Sequence, residues 1–120
     1  MRDYKKIRAY QYADDLCLWV YQASRQFPQG ETYGLTSQMR RAAVSVAANI
    51  VEGAGRQTSK DYLHFLFMAR GSLSELQYLI SLSARLEYIQ QAEHEKLAVQ
   101  AEETAKILFG LINSVKAEVK

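Results

Sequence analysis

From residue 62 onward the apolar residues keep a seven-residue repeat. Tyr62, Leu66, Ala69, Leu73, Leu76 and Ile80 are spaced four and three apart, and Leu97, Ala101, Thr104, Leu108, Leu111 and Val115 do the same. This spacing gathers each set on one stripe of a helix, and long stripes of this kind are buried against other helices. The first half of the chain supplies them. Ala13, Leu16, Val20, Ala23 and Phe27 recur at threes and fours, as do Met39, Ala43, Val46 and Ile50. No segment alternates as a half-buried strand would. Pro28, the only proline, joins Gly30 and Gly34 in marking the loop FPQGETYG at residues 27–34. Four helices with short connections predict an all-α, up-down-up-down four-helix bundle with shallow crossing angles. At 120 residues the chain is long enough for one core and too short for two, so residues 1–120 form a single domain.

The element ends carry local signals. The first helix is expected to start near Tyr10, with Asp14 and Asp15 in its opening turns where acidic groups suit the helix dipole. Thr36 or Ser37 is expected to cap the second helix, and Gly53 or Gly55 in EGAGR to end it in the left-handed conformation. Thr58 with Asp61 resembles a capping box opening the third helix, which runs to about Leu86. Tyr88–Gln91 form a short connection, and Lys116 and Lys120 sit favourably at the end of the fourth helix.

Composition narrows the function classes. Cys17 is the only cysteine, and the two histidines are far apart, so neither a disulfide nor a zinc-type cluster can form within the chain. No cofactor is implied. MRDYKKIRAY is basic but lacks a following apolar run, and no window resembles a membrane span, so a reducing cytoplasm is the expected location. The net charge is only +2, but it is unevenly placed. Residues 35–70 carry five cations and two anions, and residues 71–120 carry five and seven.

The two middle helices have more apolar surface than a core stripe needs. Val44, Ala47 and Val51 form a strip about a quarter turn from the core stripe of the second helix. On the third helix Leu63, Phe67, Tyr78 and Leu82 lie opposite the core, with Gly71 among them leaving room for a close neighbour. Such surface predicts burial against other copies of the chain, with a tightly wrapped monomer as the plainer alternative. Gln38, Arg41, Ser45, Asn49 and Glu52 form a polar strip on the second helix. It is either ordinary surface or a subunit seam whose groups need partners. Arg41 and Glu52 are about 16 Å apart along a helix and do not pair within one chain.

No catalytic arrangement can be assembled. Asp14 and Asp15 point about 100° apart, GAGR lacks the Walker spacing, and His64 and Cys17 have no partner at a useful spacing. A non-enzymatic protein is expected. The basic set Arg40, Arg41, Arg56, Lys60 and Arg70 has two readings: phosphate binding, or structural ion pairs with Glu52 and Glu75.

The run YGLTSQMRRAAVSVAANIVEGAGR, with Phe65-Leu66 and ARGSLSEL at residues 69–76, resembles the bacterial 23S rRNA intervening sequence protein family. The likeness extends from about Ala13 to Leu86 and rests on YGLTSQ, the arginine pair, the Ser45–Asn49–Glu52–Gly53 spacing and Gly71-Ser72-Leu73-x-Glu75. That family is similar to the accessory variability determinant proteins of diversity-generating retroelements. The resemblance implies a homopentameric, barrel-like ring with a basic surface for RNA or DNA, and a reverse transcriptase or other protein as a partner. It does not imply catalysis. This chain has Ala47-Ala48 where the family often has Pro-Ser, and Ala54 where an aromatic residue is frequent. The expected function is structured nucleic-acid binding, chiefly RNA, through Arg40, Arg41, Arg56, Lys60 and Arg70. Gln38, Ser45, Asn49, Glu52, Leu63, Phe67, Gly71, Glu75 and Tyr78 form the oligomer interface or polar seam. The alternative is a protein-interaction scaffold, such as a polymerase accessory factor, with no nucleic-acid affinity of its own.

Overall fold

The computed structural model describes residues 2–119. Four helices dominate it: α1 (Arg8–Ser24), α2 (Leu35–Ala54), α3 (Ser59–Arg85) and α4 (Gln91–Glu118). Single turns of 3-10 helix precede α1 at Tyr4–Lys6 and fill the α1–α2 loop at Gln29–Glu31. Each helix packs on its neighbour in sequence, and α4 closes back on α1. The result is an up-down-up-down four-helix bundle 48 Å long, a little longer than its 27- and 28-residue helices at about 1.5 Å per residue.

The core follows the stripes. Ala13, Leu16, Val20 and Ala23 of α1 meet Met39, Ala43, Val46 and Ile50 of α2, and Leu66, Leu73, Leu76, Ile80, Leu97 and Leu108 of the longer helices. Burying each large side chain contributes roughly 1.5–3 kcal/mol. Leu111 is only half-buried, and Ile112 takes the expected core place. A straight helix drifts by about 20° per heptad, so the buried position moves one residue along by the fourth turn.

Several element ends differ from the sequence reading. The first helix begins at Arg8, so Asp14 and Asp15 lie beyond its first turn. The second is capped from outside. Its N-cap is Gly34, Thr36 is buried, and the Leu35 N–H donates to Glu31 Oε1 at 3.1 Å. A Cβ on Gly34 would lie 2.6 Å from that carboxylate oxygen, so a larger residue there would make the Glu31 side chain shift and disturb the cap. Gly55 ends α2 in the right-handed conformation at φ −83°, and Gly53 stays within the helix. Its value is room, since an added Cβ would come within 2.8 Å of Tyr62 and 2.9 Å of Phe65. With alanine at 47 and 48, α2 runs unbroken.

Other signals are met. Thr58 accepts a hydrogen bond from the Asp61 N–H and caps α3. Lys116 lies in the last turn of α4, whereas Lys120 lies outside the described residues. At the end of α3, Glu87 takes a positive φ of 63°. The Tyr88 N–H reaches the Ser83 carbonyl at 2.9 Å and the Glu87 N–H reaches Ala84 at 3.0 Å. These paired bonds are a Schellman motif closed without glycine.

Candidate functional site

The polar strip of α2 divides in two. Ser45 and Asn49 are half-buried in the α2–α3 groove, while Gln38, Arg41 and Glu52 are exposed. The Ser45 and Ser72 hydroxyls share a hydrogen bond of 2.7 Å, and Asn49 Nδ2 donates to the Ser45 carbonyl and hydroxyl at 2.8 and 3.0 Å. Part of the strip is therefore satisfied within the chain.

The apolar strip of α3 is also partly used. Leu63, Phe67 and Leu82 pack half-buried against the core's edge, as Ala47 of α2 does. Val44, Met68, Tyr78 and Leu86 remain exposed on α2 and around α3. Gly71 and Glu75 are exposed too, and a Cβ on Gly71 would meet nothing within 4 Å. Its room faces outward, away from this chain's other helices.

The five basic residues do not form one patch. Arg40 is half-buried on the α1 side, where its Nε donates to Ser24 Oγ at 2.8 Å and its guanidinium lies 4.7 Å from the Tyr21 ring centre. Arg41 is exposed beside it. Arg56 and Lys60 lie at the far end of α2, about 22 Å away at 1.5 Å per residue. Arg56 stacks on Phe65 at 4.6 Å, and Arg70, farther along α3, stacks on Phe67 at 4.9 Å. His64 is exposed and meets Phe65 edge-on. The ion pairs among the described residues are Arg2–Glu118 and Lys106–Glu103. Glu52 and Glu75 pair with none of the five cations, so the structural ion-pair reading lacks its partners within the chain.

Sequence reading missed Arg2, the residue that ties this end of the bundle together. Its N–H donates to the Ala54 carbonyl at the end of α2. Its guanidinium bonds Ser59 at the start of α3 and Glu118 at the end of α4, and lies 4.3 Å over the Tyr62 ring. Ser59 in turn donates to Glu118 at 2.6 Å. Tyr62 is fully buried and its hydroxyl has no hydrogen-bond partner among the described residues. Burial pushes the Tyr62 phenol above its ordinary pKa; Glu118 adds to the shift and Arg2 opposes it. No periodicity marks Arg2, because it lies outside any helix.

A shallow groove of about 170 Å³ between α3 and α4 is lined by Gln77, Ser81, His94 and Glu102 and contains none of the predicted residues. Burial, and secondarily Asp14, hold the Cys17 thiol above its usual pKa, the reverse of what activates a cysteine nucleophile. No helix among the described residues is long and apolar enough to cross a membrane.

The family model described as 23S rRNA-intervening sequence protein matches residues 5–110. A solved structure of a protein of unknown function from the S23 ribosomal protein family of Bacteroides thetaiotaomicron VPI-5482 superposes with a TM-score of 0.77 at 22% identity, covering 87% of this chain and 97% of that one. At that identity it speaks to the fold alone. No curated protein matches.

Proposed function

The chain belongs to the 23S rRNA-intervening sequence protein family, and we propose that it is a non-enzymatic, homo-oligomeric protein of the bacterial cytoplasm that binds structured nucleic acid, chiefly RNA. The observation that carries this reading is the set of exposed cations Arg41, Arg56, Lys60 and Arg70, none in an ion pair among the described residues. Unpaired arginines stacked on aromatic rings keep their donors free for phosphate. Assembly into a pentamer would repeat the surface and raise affinity through many weak contacts. Val44, Tyr78 and Gly71 leave α2 and α3 with apolar, open surface suited to that assembly.

The same exposed surface supports a second reading, a scaffold that docks a protein such as a reverse transcriptase without touching nucleic acid. Light scattering with absorbance at 260 and 280 nm across one peak separates the two. A mass of about five chains with nucleic acid that dissociates in high salt supports the first. The same mass without nucleic acid favours the scaffold, and a bare monomer overturns the assembly. Replacing Arg41 and Arg56 with glutamate should abolish binding and leave the helical content unchanged; unaltered binding would remove both from the interface.

A further inference from the structure

We infer that nucleic-acid phosphates sit chiefly across the end of the bundle organised by Arg2, on a surface built from Lys5, Lys6, Arg56, Lys60 and Lys116, with Arg41 and Arg70 on the α2–α3 flank as secondary contacts. Lys116 and Arg70 lie over the same Phe67 ring and join the two. This rests on the nucleic-acid reading above and assigns it a place. Arg2 brings four separate chain segments together. Its anchors are Ala54, Ser59 and Glu118, and each lies within two residues of an exposed cation: Arg56, Lys60 and Lys116 respectively. Lys5 and Lys6, in the 3-10 turn just after Arg2, are exposed as well, and that turn packs against both α1 and α2.

Arg2 itself is neutralised by Glu118. The five cations around it have no ion-pair partner among the described residues. The anions nearby are Asp3, Glu52, Asp61 and the Glu118 that pairs with Arg2, and the Asp3 side chain is occupied in capping the Lys5 N–H. A fold that concentrates unpaired positive charge destabilises itself through repulsion, and a polyanion relieves that repulsion on binding. The opposite end of the bundle is different. There Arg25, Arg40, Arg41, Arg85 and Lys96 are nearly balanced by Glu31, Glu87, Glu93 and Glu95, and Arg40 is held by Ser24 and Tyr21.

The test is fluorescence anisotropy of the full chain with a labelled oligouridylate and with a short RNA duplex, at several salt concentrations. The variants are Lys5→Glu/Lys6→Glu/Lys116→Glu and, on the flank, Arg41→Glu/Arg70→Glu. All five residues are exposed, and circular dichroism checks that both variants fold. A set of Lys→Gln changes at the same three lysines removes charge without adding any and should act in the same direction. The end-face variant should lose at least about tenfold in affinity, and its salt slope should flatten by about 2, as expected for three lost phosphate contacts on a single strand. The flank variant should also lose affinity, but by less than the end-face variant, because Arg41 and Arg70 add secondary phosphate contacts. Loss confined to the flank variant overturns the end-face assignment and leaves the nucleic-acid reading standing. A parent chain with no salt-sensitive affinity for either RNA overturns both.

Discussion

Ser45 and Ser72 join α2 to α3 through one hydroxyl–hydroxyl bond of 2.7 Å, and Asn49 locks the Ser45 side of it. Ser45→Ala removes both contacts and should lower stability by about 1–2 kcal/mol, since each net hydrogen bond is worth about 0.5–1.5 kcal/mol. Ser72→Ala should cost less. A double-mutant cycle by urea unfolding should give a coupling of about 0.5–1 kcal/mol between the two sites; additive losses would mean that the bond contributes nothing.

The chemistry of that pair was visible in sequence, but its direction was not. A helical stripe shows that Ser45 and Asn49 share a face, and it leaves open whether the partner is water, α3 or another copy. The core stripes were legible because large apolar residues have one economical place to go. Caps were less legible, because the α2 cap comes from Glu31, a residue outside the helix whose reach depends on Gly34. Arg2 was invisible for the same reason: its partners lie up to 116 positions away.

Gly53 and Gly71 look alike in sequence, but only Gly53 is packed against its own chain. Each Gly→Ala change gains up to about 1 kcal/mol of helix propensity. At Gly53 the new methyl would press on Tyr62, which is fully buried and cannot swing aside. Overpacking of this kind costs roughly 1–3 kcal/mol. Thermal unfolding should place Gly53→Ala below the parent.

Glu87→Gly should stabilise the chain. Glu87 is exposed and holds φ at 63° to close the Schellman turn. An L side chain in that conformation costs about 1–2 kcal/mol, which glycine avoids. The gain should approach 1 kcal/mol after the greater flexibility of glycine in the unfolded chain is subtracted. A fall in melting temperature would mean that the Glu87 side chain makes a compensating contact.

The Tyr88 hydroxyl donates to Glu31 Oε2 at 2.8 Å. This bond, then burial and the Glu31 charge, raises the Tyr88 pKa above the ordinary tyrosine value. The folded state therefore holds this proton more tightly than the unfolded one. The resulting stability is fully present below about pH 10 and is lost as pH rises through the folded value. Urea midpoints measured from pH 8 to 12 should fall more steeply for the parent than for Tyr88→Phe. Parallel curves would remove Tyr88 from the alkaline transition.

Gly71 tests the assembly. It is exposed on α3, its added Cβ would touch nothing within its own chain, and Tyr78 two turns on is 58% exposed. For a lone bundle, Gly71→Ala is a gain of up to about 1 kcal/mol, and Gly71→Glu is close to neutral. For a bundle whose neighbour packs on this face, both changes wedge the subunits apart, and the glutamate also buries a charge, which is costly without a partner. The expected result is a fall in mass on light scattering for Gly71→Glu, with helicity retained and a smaller fall for Gly71→Ala. An unchanged assembled mass with Gly71→Glu would move the interface to another face of the bundle. The open space beside Gly71 would then be solvent, and the neighbouring Tyr78 an ordinary exposed ring.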